Sequence, residues 1–383
     1  MKMCDLPKDM AEEVLCRIPV TSLRPIRSTC KRWNKLSRCG VFAKKHLAHQ
    51  AEESKEGRLV VMMMDYRVFL MRFNLSNKSC VVEREARLIG PDGSDQLDVC
   101  GIFHCDGLLL CIPKGHSRLV VWNPYWGQTR WIEHTHNCHL VDKYRCSYTY
   151  ALGYDRNSKS HKVLRFIDYL SHFVEFKIYD FSSDSWRIIL DLFPRTWMIR
   201  YGERGLSLKG NTYWFASDTD RQSTNGFLVC FDFTRETFGP PLSLPRVASF
   251  QDTVSLSSVR EDQLVVLFQT ADILTFEIWI STKIGDDPNA VSWNNKFFLS
   301  ANIKQLIHPQ WQFPASASFF IDEEKKVAVV FDKDTDIRNP TREVAYIIGV
   351  DGSLKEAADV RECADRYCDA FLCSYVPSLV QLN

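Results

Sequence analysis

Two periodicities divide this chain. Over the first fifty residues apolar side chains recur at helical steps: Met10, Val14, Leu15 and Ile18 form one stripe, and Leu23, Ile26, Cys30, Trp33 and Leu36 another. Asp9 with Glu12 three residues on reads as a capping box for the first helix, which Pro19 ends. Ser22 reads as the N-cap of the second, and Pro25 falls in its first turn, where a missing N–H loses no partner. A third short helix is expected around Val41 to Leu47.

From Arg58 the pattern changes to short apolar and aromatic runs between turn residues, the mark of an antiparallel all-β unit. Leu59 to Met64, Val68 to Phe73, Gly107 to Cys111, Leu119 to Trp122, Val163 to Phe166, Phe173 to Asp180, Phe227 to Phe233, Leu264 to Phe268, Phe276 to Ile280, Val327 to Phe331 and Val344 to Val350 are the expected strands. Some pair with a following aromatic strand across an Asp, Asn, Ser or Gly turn: Leu119 to Pro124 with Gln128 to Ile132, Lys177 to Phe181 with Asp184 to Arg187, and Leu228 to Phe233 with Glu236 to Phe238. Units of this kind, about 40 to 60 residues apart, suggest about six irregular propeller blades, each stable only when stacked in a ring. The run Phe371 to Val380 is expected to pair with the earliest strand near Leu59 and close that ring. The fold class is therefore α+β multidomain: a helical domain over residues 1–50 and an all-β, propeller-like domain over 51–383.

Composition sharpens that boundary. In residues 1–50 eleven Lys and Arg stand against four acidic residues, a net of +7, so the whole-chain +1 leaves −6 for the remainder. A charge near zero provides no global field toward nucleic acid or an anionic membrane. The longest apolar runs are about a third of a membrane span, which needs about 20 residues. Residues 1–7 show no apolar stretch of a secretion signal, so the protein is expected in the nucleus and/or cytoplasm, with its 14 cysteines as reduced thiols. Fifty residues of helix bury little apolar surface, and Leu6, Pro7, Val14, Ile18 and Leu23 exceed what one small core hides, so packing against another protein's helices is expected.

The run Leu6 to Pro19, then Ser22-Leu23, Ser28 to Leu36, Phe42 and Lys45-His46 resembles an F-box, and more narrowly that of the large plant family with an F-box-associated interaction domain. The second domain carries words similar to that family's: Trp122-Asn123-Pro124 with Gln128 to Ile132, Ala151 to Asp155, Lys209 to Trp214 and Glu277-Ile278-Trp279. Met10 stands where leucine is usual in the family, a volume-conserving change. The resemblance implies a substrate-recognition subunit of an SCF-type ubiquitin ligase, non-catalytic, which docks a Skp-type adaptor and through it cullin and RING subunits. It further implies that Leu6, Pro7, Val14, Leu15, Ile18 and Leu23 face the adaptor, while the β domain receives a target protein.

The stripe Arg24, Arg27, Lys31, Arg32, Lys35 and Arg38 could grip phosphates, but no stacking pair or reading element accompanies it, and a solvated charged face is the ordinary outcome. His134, His136, Cys138, His139 and Cys146 are metal-ligand types without a paired CxxC, read as a polar loop, so neither metal nor cofactor is expected. Cys100, Cys105, Cys111, Cys363, Cys368 and Cys373 read as small core residues or incidental thiols. Trp122, Trp131, Trp186, Trp214 and Trp279 read as core between blades, and Asp322, Glu323 and Glu324 as a solvated hairpin turn. Recognition belongs on loops, which directs attention to His134, His136, His139, Trp197, Arg200 and Arg221. The alternatives are a ligand- or glycan-binding propeller, and a propeller hydrolase for which no matched carboxylate pair is evident.

Overall fold

The computed structural model describes residues 6–18, 23–53, 57–75, 80–90, 97–114, 118–133, 148–169, 173–189, 197–199, 203–218, 226–249, 251–270, 275–302, 313, 317–333, 342–362 and 371–382. Its helical part comprises α1 (Lys8–Cys16), α2 (Leu23–Thr29), α3 (Lys31–Ser37) and α4 (Gly40–Glu53). Helix α1 starts behind Pro7, whose carbonyl accepts from Ala11 N, and has no side-chain cap, so the expected Asp9–Glu12 box does not form. The expected second helix is two. Thr29 Oγ1 donates back to the Ile26 carbonyl at 2.7 Å, Cys30 turns extended, and its sulfur accepts from Trp33 N at 3.4 Å to cap α3. The last helix outruns its expected end at Leu47 and passes the boundary at residue 50. Ser22 and Pro19 lie outside the described residues.

Six sheets follow. The first blade has β1 (Arg58–Met64), β2 (Arg67–Leu75) and β3 (Cys80–Arg87), the second β4 (Val99–Cys105), β5 (Leu108–Pro113), β6 (Arg118–Asn123) and β7 (Gln128–Glu133). The third holds β8 (Thr149–Asp155), β9 (Ser160–Tyr169), β10 (Phe173–Asp180) and β11 (Ser185–Ile188). In the fourth, β12 (Trp197–Met198) and β13 (Leu206–Leu208) share the inner flank of β14 (Asn211–Asp218), followed by β15 (Gly226–Asp232) and β16 (Thr237–Phe238). The fifth comprises β17 (Thr253–Val259), β18 (Gln263–Gln269), β19 (Thr275–Ile280) and β20 (Leu299–Asn302). The sixth comprises β21 (Ser318–Asp322), β22 (Val327–Lys333), β23 (Arg342–Gly349) and β24 (Leu354–Glu362).

The apolar run Leu59 to Met64 is continuous because both faces of β1 are covered. Leu59, Val61 and Met63 pack on Ile102, Leu109 and Trp122 of blade two, whereas Val60, Met62 and Met64 pack on Phe320, Val329 and Phe331 of blade six. A comparable core fills each of the other seams between neighbouring blades. The ring closes as expected: β25 (Phe371–Ser374) pairs with β1, Met63 opposite Phe371 and Val60 opposite Ser374. It is shorter than the expected run to Val380, because the chain leaves the sheet after Tyr375 N bonds the Leu59 carbonyl. Pro377 has no N–H to continue a ladder. The tail crosses beneath blade two, where Asn123 Nδ2 donates to the carbonyls of Ser378 and Val380 at 3.2 and 2.6 Å. Gly107, at φ +71°, lets it pass: a Cβ there would lie 2.6 Å from the Val376 carbonyl oxygen.

Antiparallel order places the first-to-second and third-to-fourth turns within a blade at one end of the ring. The strand ends leading into the remaining connections lie at the other. The helices sit on the first of these ends.

Candidate adaptor face and candidate substrate end

Helix α1 is apolar on two sides. Ala11, Leu15 and Cys16 turn inward, Leu15 and Cys16 onto Trp33 and Phe42, while Pro7, Met10 and Val14 face outward at steps of three and four. Met10 is 55% exposed and Val14 36%, high values for apolar side chains of a small domain. Of the six residues assigned to the adaptor by resemblance, Pro7 and Val14 are exposed and Leu6 and Ile18 half-buried. Leu15 and Leu23 are fully enclosed and have no surface to offer: Leu15 fills the helical core, and Leu23 fills a seam with the ring.

That seam was not expected. Leu23 and Ala43 pack against Tyr125 and Trp126, in the turn between β6 and β7, with Ile18, Leu47 and the tail residue Leu379 alongside. Arg27, expected on a solvated charged face, is 8% exposed and lies at its centre. Its Nη1 donates to the carbonyls of Tyr125 and Trp126 at 3.5 and 3.1 Å, its Nε to Ser37 Oγ at 3.3 Å, and its guanidinium stacks 4.7 Å from the Trp126 ring centre. Burial lowers its pKa, yet a guanidinium stays protonated throughout the physiological range. His46 spans the same junction, one ring nitrogen 2.8 Å from the Ile18 carbonyl and the other 3.4 Å from the Tyr125 hydroxyl. Part of the helical domain's surplus apolar surface is thus covered by its own ring rather than by another protein.

At the opposite end, Trp197 is the one expected substrate contact among the described residues. It pairs with Asp218 and rests edge-on against Phe238, 5.1 Å away, half-buried in the seam between blades three and four. His134, His136, His139, Arg200 and Arg221 lie outside the described residues, as do Cys138, Cys146, Cys363 and Cys368. Trp122 and Trp214 are core as expected, whereas Trp131, Trp186 and Trp279 are half-buried. Cys105 and Cys111 are buried, but Cys100 is exposed.

The ring axis is nearly filled. Inner-strand residues including Ile102, Ser257, Phe319 and Leu372 leave about 50 Å³ around Arg204, whose Nη1 bonds Ser318 Oγ at 2.8 Å and whose guanidinium lies over Phe371. A small-ligand site ordinarily encloses about 300 Å³ or more. Blade five carries an open groove of about 670 Å³ between Arg246, Glu277, Trp279, Lys296 and Phe297 that the sequence reading missed. Alternation marks it: Phe276, Ile278 and Ile280 point into the core, which turns Glu277 and Trp279 outward. Glu277 is already engaged by Arg246 and Trp279 Nε1, at 2.8 and 2.9 Å. Asp155 and Glu236, two carboxylates brought together between blades three and four, are bridged by Lys162 at 2.6 and 2.7 Å. Arg187 also bonds Glu236, so the pair is a staple with its charges matched.

A helical domain seated on a closed six-bladed ring has known counterparts. A family model described as F-box domain matches residues 3–40, and one described as F-box associated beta propeller domain matches residues 59–382. The chain belongs to the F-box proteins with an F-box-associated propeller. Its relatives in Arabidopsis thaliana align end to end. F-box protein At3g19470 is 56% identical over 402 residues, covering 100% of both chains, and the putative F-box protein At3g24580 is 51% identical over 390 residues, covering 99% of each. F-box/kelch-repeat protein At3g16740 is 48% identical over 406 residues, covering 100% of both. The F-box match stops at residue 40, where α4 begins; α4 enters the helical core through Phe42 and the seam through Ala43 and Leu47.

Proposed function

We propose that this F-box protein is the substrate-recognition subunit of an SCF-type (Skp–cullin–F-box) E3 ubiquitin ligase. Its F-box binds a Skp-type adaptor, and through it cullin and RING subunits, while the propeller end remote from the helices binds a target protein. The observation that carries the reading is the outward apolar stripe of α1, Pro7, Met10 and Val14, which stays uncovered although the domain's other face is seated on the ring. Leu6 and Ile18 flank the stripe, and Leu15 and Leu23 act from behind it by holding α1 and the seam in place. The subunit itself makes and breaks no bonds; it raises the effective concentration of one bound protein beside another. His134, His136, His139, Trp197, Arg200 and Arg221 remain the proposed target contacts, and the nucleus and/or cytoplasm the proposed location. Among the described residues no helix is long and apolar enough to cross a membrane.

The test is capture of the full-length chain by a plant Skp-type adaptor, compared with a Met10→Asp/Val14→Asp variant. Covering an apolar side chain contributes about 1.5–3 kcal/mol, so losing two should weaken binding about a hundredfold or more. Both residues are exposed, and circular dichroism should show an unchanged fold. Undiminished capture of the variant would refute the assigned face.

A further inference from the structure

A cluster of metal-binding side chains lies on the turn-bearing end of the ring, apart from both proposed interfaces. Cys105 ends β4, Asp106 follows in the turn to β5, and His161 stands in β9 of the neighbouring blade. One ligand atom from each, a thiol sulfur, a carboxylate oxygen and an imidazole nitrogen, lies within 4.8 Å of the other two. Cys105 and His161 are buried, whereas Asp106 is exposed. His161 Nε2 is buried, makes no hydrogen bond, and points at Asp106 Oδ2 from 3.4 Å. Tyr154 and Phe181 hold the imidazole ring at centroid distances of 5.0 and 6.0 Å. Asp106 itself adopts φ +49°, a left-handed conformation costly for most residues and tolerated by aspartate.

We propose that Cys105, Asp106 and His161 bind one zinc ion, with a fourth position open to water beside Asp106. Thiolate, imidazole and carboxylate together are donors that zinc accepts, whereas calcium and magnesium take oxygen alone. Tetrahedral zinc with bonds of about 2.0–2.3 Å sets its donors about 3.3–3.8 Å apart. Asp106 Oδ2 already stands 3.4 Å from His161 Nε2, within that spacing, so the remaining closure, at most about 1 Å, falls to the Cys105 and His161 side chains. Two of the ligands belong to blade two and one to blade three, so the ion ties neighbouring blades at the turn where the Tyr375 hydroxyl donates to the Gly107 carbonyl. Binding displaces the thiol proton, and affinity rises with pH. The competing arrangement is a thiol and an imidazole that both donate to the Asp106 carboxylate, which has no affinity for a metal.

The experiment uses the full-length chain, stripped with a chelator and titrated with zinc chloride by calorimetry and with cobalt(II) by absorbance. One equivalent should bind, and cobalt should show a thiolate charge-transfer band. Cys105→Ser should abolish the band, and Asp106→Asn, at an exposed turn where folding is undisturbed, should weaken zinc binding about tenfold or more. Absence of a bound equivalent, or unchanged binding by Asp106→Asn, overturns the site. So does binding that survives both variants but disappears in a His134→Ala/His136→Ala/His139→Ala chain, which would place the ion elsewhere. None of these readouts involves the adaptor, so the outcome is independent of the ligase reading.

Discussion

Lys162 is 4% exposed and charged, a state that water-free surroundings would forbid without Asp155 and Glu236 on either side. Burial alone would raise the Asp155 carboxyl, but hydrogen bonds from Lys162, Ser158 and Asn157 prevail and hold it below its usual 3.8. Burial alone would likewise lower Lys162, but its bonds to Asp155 and Glu236 raise it above 10.5. A carboxyl depressed in the folded state contributes stability above its unfolded pKa and loses it as pH falls through the folded one; a raised lysine contributes below its unfolded value and loses it as pH rises. The midpoint of thermal unfolding should therefore hold near neutrality and drop below pH of about 4. Lys162→Met strands the buried Asp155 carboxylate, while Glu236 keeps Arg187, and should cost about 3–5 kcal/mol in urea unfolding at pH 7, with a smaller deficit in acid where Asp155 protonates. A deficit that does not shrink in acid would show the staple to be misread. Neither Lys162 nor Arg27 stood out in the sequence. Arg27 has the same neighbours in composition as Arg24, and what sets it apart is Trp126, far along the chain, which no local pattern reveals.

Among the elements, long strands buried on both faces were the most visible. Each of the eleven expected runs lands on a strand, three of them overrunning it by one residue at Gly107, Phe233 and Val350, because inner and middle strands such as β1, β5 and β18 are apolar along their length. The eleven runs pass over β3, β17 and β24, whose sequences CVVEREAR, TVSLSSV and LKEAADVRE are polar, and also over the largely buried β8 and β21. β3 and β24 are fourth strands at the rim of their blades; β17 lines the axis, where serines serve as well as valines. The three expected hairpins are β6–β7, β10–β11 and β15–β16, each marked by an aromatic residue after the turn. The helices were read less well, since a cap made by a cysteine sulfur has no customary signature. β25 has four residues and holds an entire blade edge, so damage to it should be disproportionate. Leu372→Ala removes a side chain packed between β1 and blade six and should cost about 2–5 kcal/mol by urea unfolding. A loss under about 1 kcal/mol would mean that the ring does not depend on this strand.

For the whole molecule, the seam around Arg27 decides whether F-box and propeller behave as one body. Four residues of the helical part, Leu23, Arg27, Ala43 and His46, meet one turn of blade two, with the chain's own tail inserted beside them. The full chain should unfold in a single calorimetric transition, and Arg27→Met should split it in two by leaving the Tyr125 and Trp126 carbonyls unbonded. One unsplit transition in that variant would show that Arg27 does not couple the parts. The proposed adaptor face was legible only in part: the outward stripe of α1 follows from spacing, but its enclosed companions Leu15 and Leu23 are indistinguishable from it until the seam is seen. The order of assembly is written into the same geometry. Val60 pairs with Met71 inside its own blade, but its inner neighbour, Ser374, comes near the end of the chain, so a growing polypeptide releases its F-box and five complete blades before the first can be locked. A product cut short before Phe371 keeps a raw sheet edge and an unfinished seat for its helices. Such a fragment is bait for chaperones and proteases, which would clear a half-built ring before it accumulates.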